Sequence, residues 1–600
     1  MNRASKILIS ISYFGLFLAY TSANRSPATG YELSIYQSTP LVFWLGVGVT
    51  ALTSIYLVQT YRGGVQVSGM VTGLLAIISV VSIPYLRGYF YYGRFDALNH
   101  LGTVIDMLSG TIEVNEIMYP GLHMFTVGFS LLTGLEPRQA LLMTVTVFVG
   151  LFLVTAPLAT YYVTNNLEIR STAWLVGPLL LPVLAVRIPR FEPTPTLVAL
   201  LFLPTCIIVT LNHLEYNNQS VRVVSILVLS GLTLYHPQQT VVYIGSLIVF
   251  VTGCLLLQQI GRPIDGYHRL ATLTMLGVVI VAVWLSSQPG FTGAVAEVII
   301  GLQSNPTGSG ATPQGESVEA VGLTLFEIFM RTFLVEAIAA SIVAVTVFGY
   351  LLPKTRSTIP VRDRPFTLLS VIIGPASVFL LVFFAIGEQS QFLRYVSYML
   401  VIGTLIVPIG LHWIINENVI GRHSTTIVGL ILVVLLLATI PSFHASPYLF
   451  QSNQQVTEGQ MNGYKKTFDH QEPDTSVTGV TTSVYRHRNA LYGKTASEQG
   501  RLGLQSVTRA IQPPNNLRSY WRHSYIHYSF NDQNLPNAVE RNTYVIVTDR
   551  DYADRIELYG GLAYTKTDFE YLDRDPLINK PISNGDAEIY YIRPTTDTGE

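Results

Sequence analysis

Residues 88–123, GYFYYGRFDALNHLGTVIDMLSGTIEVNEIMYPGLH, lie between two strongly apolar stretches near the N-terminus. The segment contains acidic residues, an arginine, histidines and four tyrosines. Polar groups beside the hydrocarbon of a bilayer are costly, and they are kept mainly where a functional site uses them. The segment therefore predicts both a membrane protein and the place of its site, with Asp96 as the first candidate.

Composition also assigns the chain to the multispan membrane proteins. Of its 600 residues, 49% are hydrophobic and only 12% are charged, which is more apolar than a soluble enzyme needs. The formal net charge is -1, so no basic excess indicates nucleic acid as a partner. Cys206 and Cys254 fall within apolar runs without the spacing of a disulfide or metal site, and we expect both to be buried thiols.

Apolar windows long enough to cross a lipid bilayer recur throughout the first 441 residues. They lie at about 7–23, 41–60, 67–86, 138–162, 171–187, 194–212, 221–235, 238–259, 270–287, 323–352, 366–387, 395–415 and 424–441, with a shorter window at about 120–134. They predict a polytopic α-helical membrane protein with about 13 or 14 spans. We expect the first window to be a retained span rather than a cleaved signal peptide, because no clean small-x-small site precedes Asn24.

The composition changes near Pro441, and about 160 largely polar residues follow. Within them, TSVTGVTTS, NTYVIVTDR and AEIYYIRP are typical of strands, and residues 551–559 are typical of a helix. Alternation of this kind predicts a small α/β layer domain. The predicted domains are a membrane domain over 1–441 with an external catalytic loop at 87–120, and a soluble extracytoplasmic α/β domain over 442–600.

Orientation follows from the loop after Leu352, PKTRSTIPVRDRP, which contains Lys354, Arg356, Arg362 and Arg364. Cytoplasmic loops carry such an excess of lysine and arginine. Counting spans from this loop places the domain after Pro441 outside. Counting from the N-terminus places the Asp96 segment outside as well.

The two counts disagree by one crossing between Pro120 and Thr164. Pro137 and Pro157 interrupt the apolar pattern there. We predict a re-entrant or half-length pair of helices, which membranes tolerate when protein or a water-filled cavity covers the broken backbone.

Asp96 and His100 are four residues apart, so on a helix they share one face. Such a pair can coordinate a divalent cation such as Mg²⁺ or Mn²⁺, or present a carboxylate as a general base. An interfacial helix with polar side chains that reach the surface explains the spacing equally well. Additional candidates in the same segment are Asp106, Glu116 and His123, although a solvated loop face also accounts for the glutamate.

Two external turns hold further candidates. VRIPRFEPTPT brings Arg187, Arg190 and Glu192 together beside a span, where an arginine fork suits a phosphate in the outer leaflet. The two arginines would serve equally as simple stop signals. His236, in LTLYHPQQT, is followed by a proline that starts the next helix, and we expect it to cap or pack more readily than to catalyse.

A third external turn, GEQSQFLRY, contains Glu388, Arg394 and Tyr395 between long apolar helices. An external arginine departs from the positive-inside pattern. That departure favours a functional role for this turn.

Five short motifs occur in order along the chain: an acid in an early external loop (GRFDALNHLG), a YP dipeptide that opens the next helix (MYPGLHMF), GLEPRQA, FLRY before a late helix, and ISNGDAEIYYI near the end. In this order they resemble the GT-C superfamily of membrane glycosyltransferases, particularly its protein-mannosyltransferase-like archaeal and bacterial members. The chain lacks the Asp-Glu or Asp-x-Asp pair common in the early loop and the WWD-type motif of oligosaccharyltransferases, and it has two additional spans before the early loop.

The resemblance implies an inverting glycosyltransferase of the cell membrane, which moves a sugar from a polyprenyl-phosphate-linked donor to a glycan, lipid or protein acceptor on the extracytoplasmic face. It implies that Asp96 acts as base on the acceptor hydroxyl or helps to position a metal. It also implies that Arg394, with Arg190 or Arg187, holds the lipid phosphate and stabilises the charge of the leaving group. The C-terminal domain would cap the cavity and help to select the acceptor.

Two other classes of protein share the many spans. A flippase or transporter of lipid-linked oligosaccharides would show charges within spans and inverted repeats, and neither is visible in the sequence. A polymerase or ligase of surface polysaccharide would place its main polar loop late in the chain, whereas here it is early.

Overall fold

The computed structural model describes residues 2–181, 191–216, 218–261, 266–288, 324–385, 389–417, 421–472, 475–480, 484–495, 533, 535–539, 541–561 and 564–595. Most of the described chain is helical. The helices up to the composition change are α1 (Arg3–Asn24), α2 (Ile35–Ser38), α3 (Leu41–Thr60), α4 (Gly64–Val81), α5 (Ile83–Leu86), α6 (Asp96–Ser109), α7 (Gly121–Thr133), α8 (Pro137–Thr164), α9 (Leu167–Leu180), α10 (Pro195–Glu215), α11 (Gln219–Tyr235), α12 (Pro237–Gln259), α13 (Tyr267–Ser286), α14 (Leu325–Thr332), α15 (Leu334–Leu351), α16 (Pro353–Arg356), α17 (Asp363–Ala385), α18 (Gln389–Asn416) and α19 (Ser424–Thr439).

Ten helices of the described chain are long and apolar enough to cross a membrane: α1, α3, α4, α8, α10, α12, α13, α15, α17 and α18. The other predicted windows correspond to α7, α9, α11 and α19, which have 13 to 17 residues. The predicted polytopic helical fold is therefore confirmed. Within it, α18 is the central helix, since 83% of its spanning window is buried, against 22% for the peripheral α1.

The prediction of two re-entrant or half-length helices between Pro120 and Thr164 is wrong for the second helix, α8. α8 is one continuous helix of 28 residues that contains Pro157. At about 1.5 Å per residue it exceeds the roughly 30 Å of the hydrocarbon layer, whereas the 13 residues of α7 fall short of it. A proline is tolerated inside a buried membrane helix because neighbouring groups satisfy the backbone that it frees. Pro157 is itself buried among such neighbours.

The chain after Pro441 contains the remaining elements: helices α20 (Glu458–Asp469), α21 (Val484–Tyr492), α22 (Leu535–Ala538), α23 (Asp549–Tyr552) and α24 (Lys566–Arg574), and strands β2 (Gln455–Val456), β3 (Ser476–Gly479), β4 (Thr543–Thr548), β5 (Ile578–Ser583) and β6 (Ala587–Ile592). A four-stranded sheet has the order β3-β4-β6-β5, with β3 parallel to β4 and the other pairs antiparallel. The predicted strands in NTYVIVTDR and AEIYYIRP are β4 and β6.

Helices cover both faces of this sheet, as the alternation of side chains along β4 requires. Val545 and Val547 share a core with Phe569 and Leu572 of α24. Ile546, on the opposite face, packs with Tyr464 and Phe468 of α20. The C-terminal region is thus an α/β layer structure, as predicted.

A short β-ladder joins the early polar segment to the C-terminal region. β1 (Tyr91–Tyr92) pairs antiparallel with β2, so that Tyr91 lies opposite Val456 and Tyr92 lies opposite Gln455. Both tyrosines are fully buried. The segment that contains Asp96 and the C-terminal region therefore lie at the same end of the helical bundle.

Candidate functional site

A cavity of about 920 Å³ lies where the early polar segment, the ends of several membrane helices and the C-terminal region meet. Its walls combine apolar side chains, such as Ile117, Leu197 and Leu200, with charged groups. The acidic, basic and histidine side chains that line it are Asp96, His100, Glu116, His123, Glu192, His236, Arg394, Arg486, Arg488 and Lys494. Most of the candidates predicted from the sequence are thus brought together in one place.

Asp96 is the first residue of α6 and an exposed acid of the cavity. Its side chain is 66% exposed, and Oδ1 lies 3.3 Å from Nη2 of Arg486 on α21. The first turn of a helix favours a negative charge, because the backbone N–H groups point toward it. A solvated carboxylate in this position can accept a proton from a ligand in the cavity.

His100 lies one turn further along α6, as the spacing predicts, but its partner is another histidine. Nδ1 of His100 is 3.1 Å from Nε2 of His123 on α7. Burial, together with the charges of Lys494 and His236, lowers the pKa of His100 to about 3. His100 is therefore neutral near pH 7, so one nitrogen of the pair donates and the other accepts.

The divalent cation predicted at Asp96 and His100 does not fit this arrangement. Asp96 faces a guanidinium, and the ring of His100 faces a second imidazole. Among the residues that the structure describes, no group of three or more His, Cys, Asp and Glu side chains is placed to hold a metal ion.

Glu192 is a site residue that the sequence pointed to only as a neighbour of two arginines. It is buried, and Oε1 accepts a hydrogen bond from the backbone N–H of Arg94 at 3.2 Å. Burial raises the pKa of Glu192 to about 8, with a smaller contribution in the same direction from the charge of Asp96 and opposing ones from Arg94 and Arg550. Glu192 is thus mostly protonated at neutral pH.

The backbone before Glu192 is strained. Phe191 has a φ of 64°, a left-handed conformation that bulky residues rarely adopt. Its ring stacks on Phe443 with a centroid separation of 5.9 Å and lies beside His444. Strain of this kind persists where the surroundings hold it, and here it directs Glu192 into the cavity.

Arg394 projects into the cavity from the first turns of the central helix α18. Its Nη1 donates to Oε1 of Gln238 at 3.0 Å, and Nε2 of the same amide donates to the hydroxyl of Tyr395 at 2.9 Å. Tyr395 does not line the cavity. It is buried, and its ring stacks on Phe379 and Phe383. Gln238 thus connects an arginine of the cavity to a tyrosine of the helical core.

His236 occupies the turn between α11 and α12, and its side chain makes no capping hydrogen bond to α12. Its ring stacks on Tyr119 at 5.4 Å with an interplanar angle of 2°. His236 therefore packs against an aromatic ring, one of the two roles expected for it. Because both rings line the cavity, they also form part of its surface.

The other predicted candidates separate into three groups. Asp106 is buried outside the cavity, where Oδ2 accepts from the backbone N–H of Thr495 at 2.8 Å and Oδ1 accepts from the hydroxyl of Thr111 at 3.0 Å. Glu116 lines the cavity at an exposed position, and its Oε2 accepts from the backbone N–H of Glu113 at 3.2 Å. Arg187, Arg190 and Glu388 lie outside the described residues.

Three cations of the cavity come from the C-terminal region: Arg486, Arg488 and Lys494. Sequence reasoning missed them because they follow the composition change by more than 40 residues and lie on a polar helix. The available signal was the local run RHR at 486–488, within an otherwise mixed segment. Single basic runs on polar helices are most often solvated faces, so the signal was weak.

No protein-family model matches the chain, and no curated protein matches it. Similar solved structures include ArnT from Cupriavidus metallidurans bound to undecaprenyl phosphate, which is 12% identical with a TM-score of 0.46 and covers 87% of this chain and 98% of that chain. They also include the archaeal oligosaccharyltransferase AglB from Archaeoglobus fulgidus, in complex with an inhibitory peptide and a dolichol-phosphate. AglB is 10% identical with a TM-score of 0.48, over 82% of this chain and 72% of that chain.

The Archaeoglobus oligosaccharyltransferase is also similar in its complex with Zn and sulfate, at 9% identity and a TM-score of 0.43, over 80% of this chain and 70% of that chain. Identities near 10% and TM-scores below 0.5 describe a similar overall layout and say nothing of activity.

Proposed function

We propose that this protein is an inverting glycosyltransferase, which moves a sugar from a polyprenyl-phosphate donor to a hydroxyl of a glycan, lipid or protein acceptor. The observation that carries the proposal is the joint placement of Asp96 and Arg394. One cavity, at the boundary between the membrane helices and the C-terminal region, is lined by an exposed carboxylate and by a guanidinium from the central helix. These are the two groups that displacement of a phosphate leaving group requires.

The reaction is a single displacement. The acceptor hydroxyl oxygen attacks the anomeric carbon, Asp96 takes the hydroxyl proton, and the bond between that carbon and the phosphate oxygen breaks. The electron pair of the broken bond stays on the phosphate, which leaves as polyprenyl phosphate. Because attack and departure occur on opposite sides of one carbon, the anomeric configuration inverts.

Arg394 stabilises the charge that develops on the leaving phosphate. A guanidinium binds phosphate oxygens bidentately and keeps its charge at all accessible pH values. Gln238 holds Arg394 through the 3.0 Å hydrogen bond, so that little reorganisation is needed as the charge builds. We also propose that Arg187 or Arg190 assists, since both precede Glu192 by no more than five residues in the sequence.

The neutral groups of the cavity suit a sugar. The His100–His123 pair and the protonated Glu192 offer donors and acceptors without net charge, and the stacked rings of Tyr119 and His236 offer an apolar surface. Hydroxyl-rich ligands need such hydrogen-bonding partners when they leave water.

We propose that the cavity faces the extracytoplasmic side. At the opposite end of the bundle, the basic loop after Leu352 contacts the end of α10, where Arg362 forms an ion pair with Glu215. Lys354 and Arg356 of the same loop are exposed. Short loops with this composition remain in the cytoplasm.

The test is transfer by the purified full-length protein in liposomes. Fluorescent polyprenyl-phosphate sugars are supplied with crude glycan, lipid and peptide acceptors, and products are separated after incubation. We expect the sugar to leave the carrier and polyprenyl phosphate to accumulate. If the intact donor instead moves between leaflets without cleavage, the protein is a flippase and the proposal fails.

A further inference from the structure

The ion-pair partner of Asp96 comes from a distant part of the chain. Arg486 lies on α21 of the C-terminal region, 390 residues after Asp96. Its Nη2 is 3.3 Å from Oδ1 of Asp96, and both side chains line the cavity. The carboxylate assigned as the base is therefore held by the C-terminal region.

Arg486 is held in place more firmly than Asp96. The side chain of Arg486 is 11% exposed, against 66% for Asp96. Its guanidinium lies over the rings of Phe95 at 5.4 Å and Tyr485 at 5.6 Å, and its Nε donates to the hydroxyl of Tyr485 at 3.2 Å. The guanidinium would keep its place if the carboxylate moved away.

The packing of α21 on α6 also fixes Arg486. Nδ2 of Asn489 donates to Oδ1 of Asn99 at 3.1 Å, and the backbone N–H of Thr495 donates to Asp106 at 2.8 Å. These contacts lie further along both segments than the ion pair. Arg486 is thus a packed residue of the cavity wall and not a freely moving surface side chain.

A carboxylate oxygen that accepts a hydrogen bond from an arginine has one lone pair fewer for an acceptor hydroxyl. Asp96 must therefore give up Arg486 before both of its oxygens are free to meet that hydroxyl. An arriving phosphate is the group best able to replace it, because guanidinium binds phosphate and carboxylate with the same fork of N–H donors.

We propose that Arg486 is shared between Asp96 and the donor phosphate: it pairs with Asp96 in the free protein and with the phosphate once the donor is bound. Binding of the donor then releases Asp96 to act as base on the acceptor. Arg486 is in this way a positioning residue for Asp96 and a phosphate ligand. The inference rests on the proposed glycosyltransferase function, and it adds an order in which the donor binds first.

The test measures binding of undecaprenyl phosphate to the purified full-length protein in detergent. Asp96→Asn should bind this lipid several-fold more tightly than wild type, because Arg486 no longer has to leave a carboxylate. Arg486→Gln should bind it about tenfold more weakly, the effect of one lost charged hydrogen bond, and Arg486→Lys should lie between. Glu116→Gln is the matched control, since it removes one negative charge from the same cavity without touching Arg486.

Four outcomes decide whether the inference holds. The inference is supported if Asp96→Asn tightens binding more than Glu116→Gln does. It is overturned if the two variants behave alike, or if Arg486→Gln melts at a lower temperature yet binds as wild type does, since Arg486 is then a structural contact only. Failure of the wild-type protein to bind undecaprenyl phosphate would count against the proposed function itself, not only against the role of Arg486.

Discussion

The guanidinium of Arg94 lies 3.1 Å from the carboxylate of Asp554, and this ion pair joins the start of α6 to the C-terminal region. The backbone N–H of Arg94 also donates to Glu192. Arg94 therefore connects one acid of the cavity, Glu192, with the C-terminal region, and it precedes a second acid, Asp96, by two residues.

Loss of the Asp554 carboxylate should destabilise the protein and lower its activity. Burial alone would raise the pKa of Asp554, but the charges of Arg550 and Arg94 lower it, so the buried acid is ionised. Asp554→Ala leaves the buried Arg550 and the partly buried Arg94 without their carboxylate, and loss of one partner costs about 3–5 kcal/mol in buried pairs. Denaturant unfolding in detergent measures the change. Asp469→Asn, which breaks an exposed pair with Lys465 in the same region, should cost less than about 1 kcal/mol.

Close packing at Gly102 should make this position intolerant of a side chain. A Cβ at Gly102 would lie 2.5 Å from the backbone oxygen of Asn489, so α21 would have to move off α6. Gly102→Ala should therefore lower both thermal stability and transfer. Gly48→Ala in α3, where a Cβ would meet nothing within 4 Å, is the matched control and should leave both unchanged. Equal effects of the two substitutions would contradict the α6–α21 contact.

The raised pKa of Glu192 predicts a stability that depends on pH. This pKa is about 8 in the folded protein, against an ordinary value of 4.5. A carboxyl shifted upward contributes stability that is complete below its unfolded pKa and is lost as pH rises through its folded pKa. The melting temperature of wild type should therefore fall between about pH 5 and pH 8 relative to Glu192→Gln, which stays neutral. If the melting temperatures of the two proteins instead change with pH in the same way, Glu192 is ionised over the whole of this pH range.

The sequence predicted those parts of the site that depend on local patterns. Asp96 and His100 share a helical face because their spacing matches one turn, and Arg394 stood out as an external arginine. Contacts between residues that are far apart in the sequence leave no such local pattern. His123 reaches His100 from another helix, and Arg486 reaches Asp96 across 390 residues.

One error has a physical cause. Pro157 suggested a break, but a helix buried among neighbours tolerates the loss of one backbone hydrogen bond. The partners of Asp96 and His100 come from other helices and could not be inferred from spacing. The α/β order after Pro441 was readable, because its strands are short apolar runs between polar turns.

Replacement of Arg394 should show whether the donor phosphate is bound by the positive charge of this residue alone or also by the shape of its guanidinium. Arg394→Lys keeps the charge and loses bidentate binding, so the donor should bind more weakly. Arg394→Ala should be worse, by about 1.5–3 kcal/mol relative to wild type. Tyr395→Phe removes only the hydroxyl that Gln238 contacts and should have a smaller effect. Donor affinity and melting temperature are measured on all three. Normal affinity with lowered stability in the Arg394 variants would make this arginine a structural residue.

The most direct test of the account is the anomeric configuration of the product, read by NMR, for wild type and Asp96→Asn. A single displacement with Asp96 as base predicts transfer with inversion by wild type. It predicts rates at least about a hundredfold lower for Asp96→Asn, with the same melting temperature, as expected for loss of a general base. A product with retained configuration, or an Asp96→Asn protein that transfers at the wild-type rate, would contradict the account.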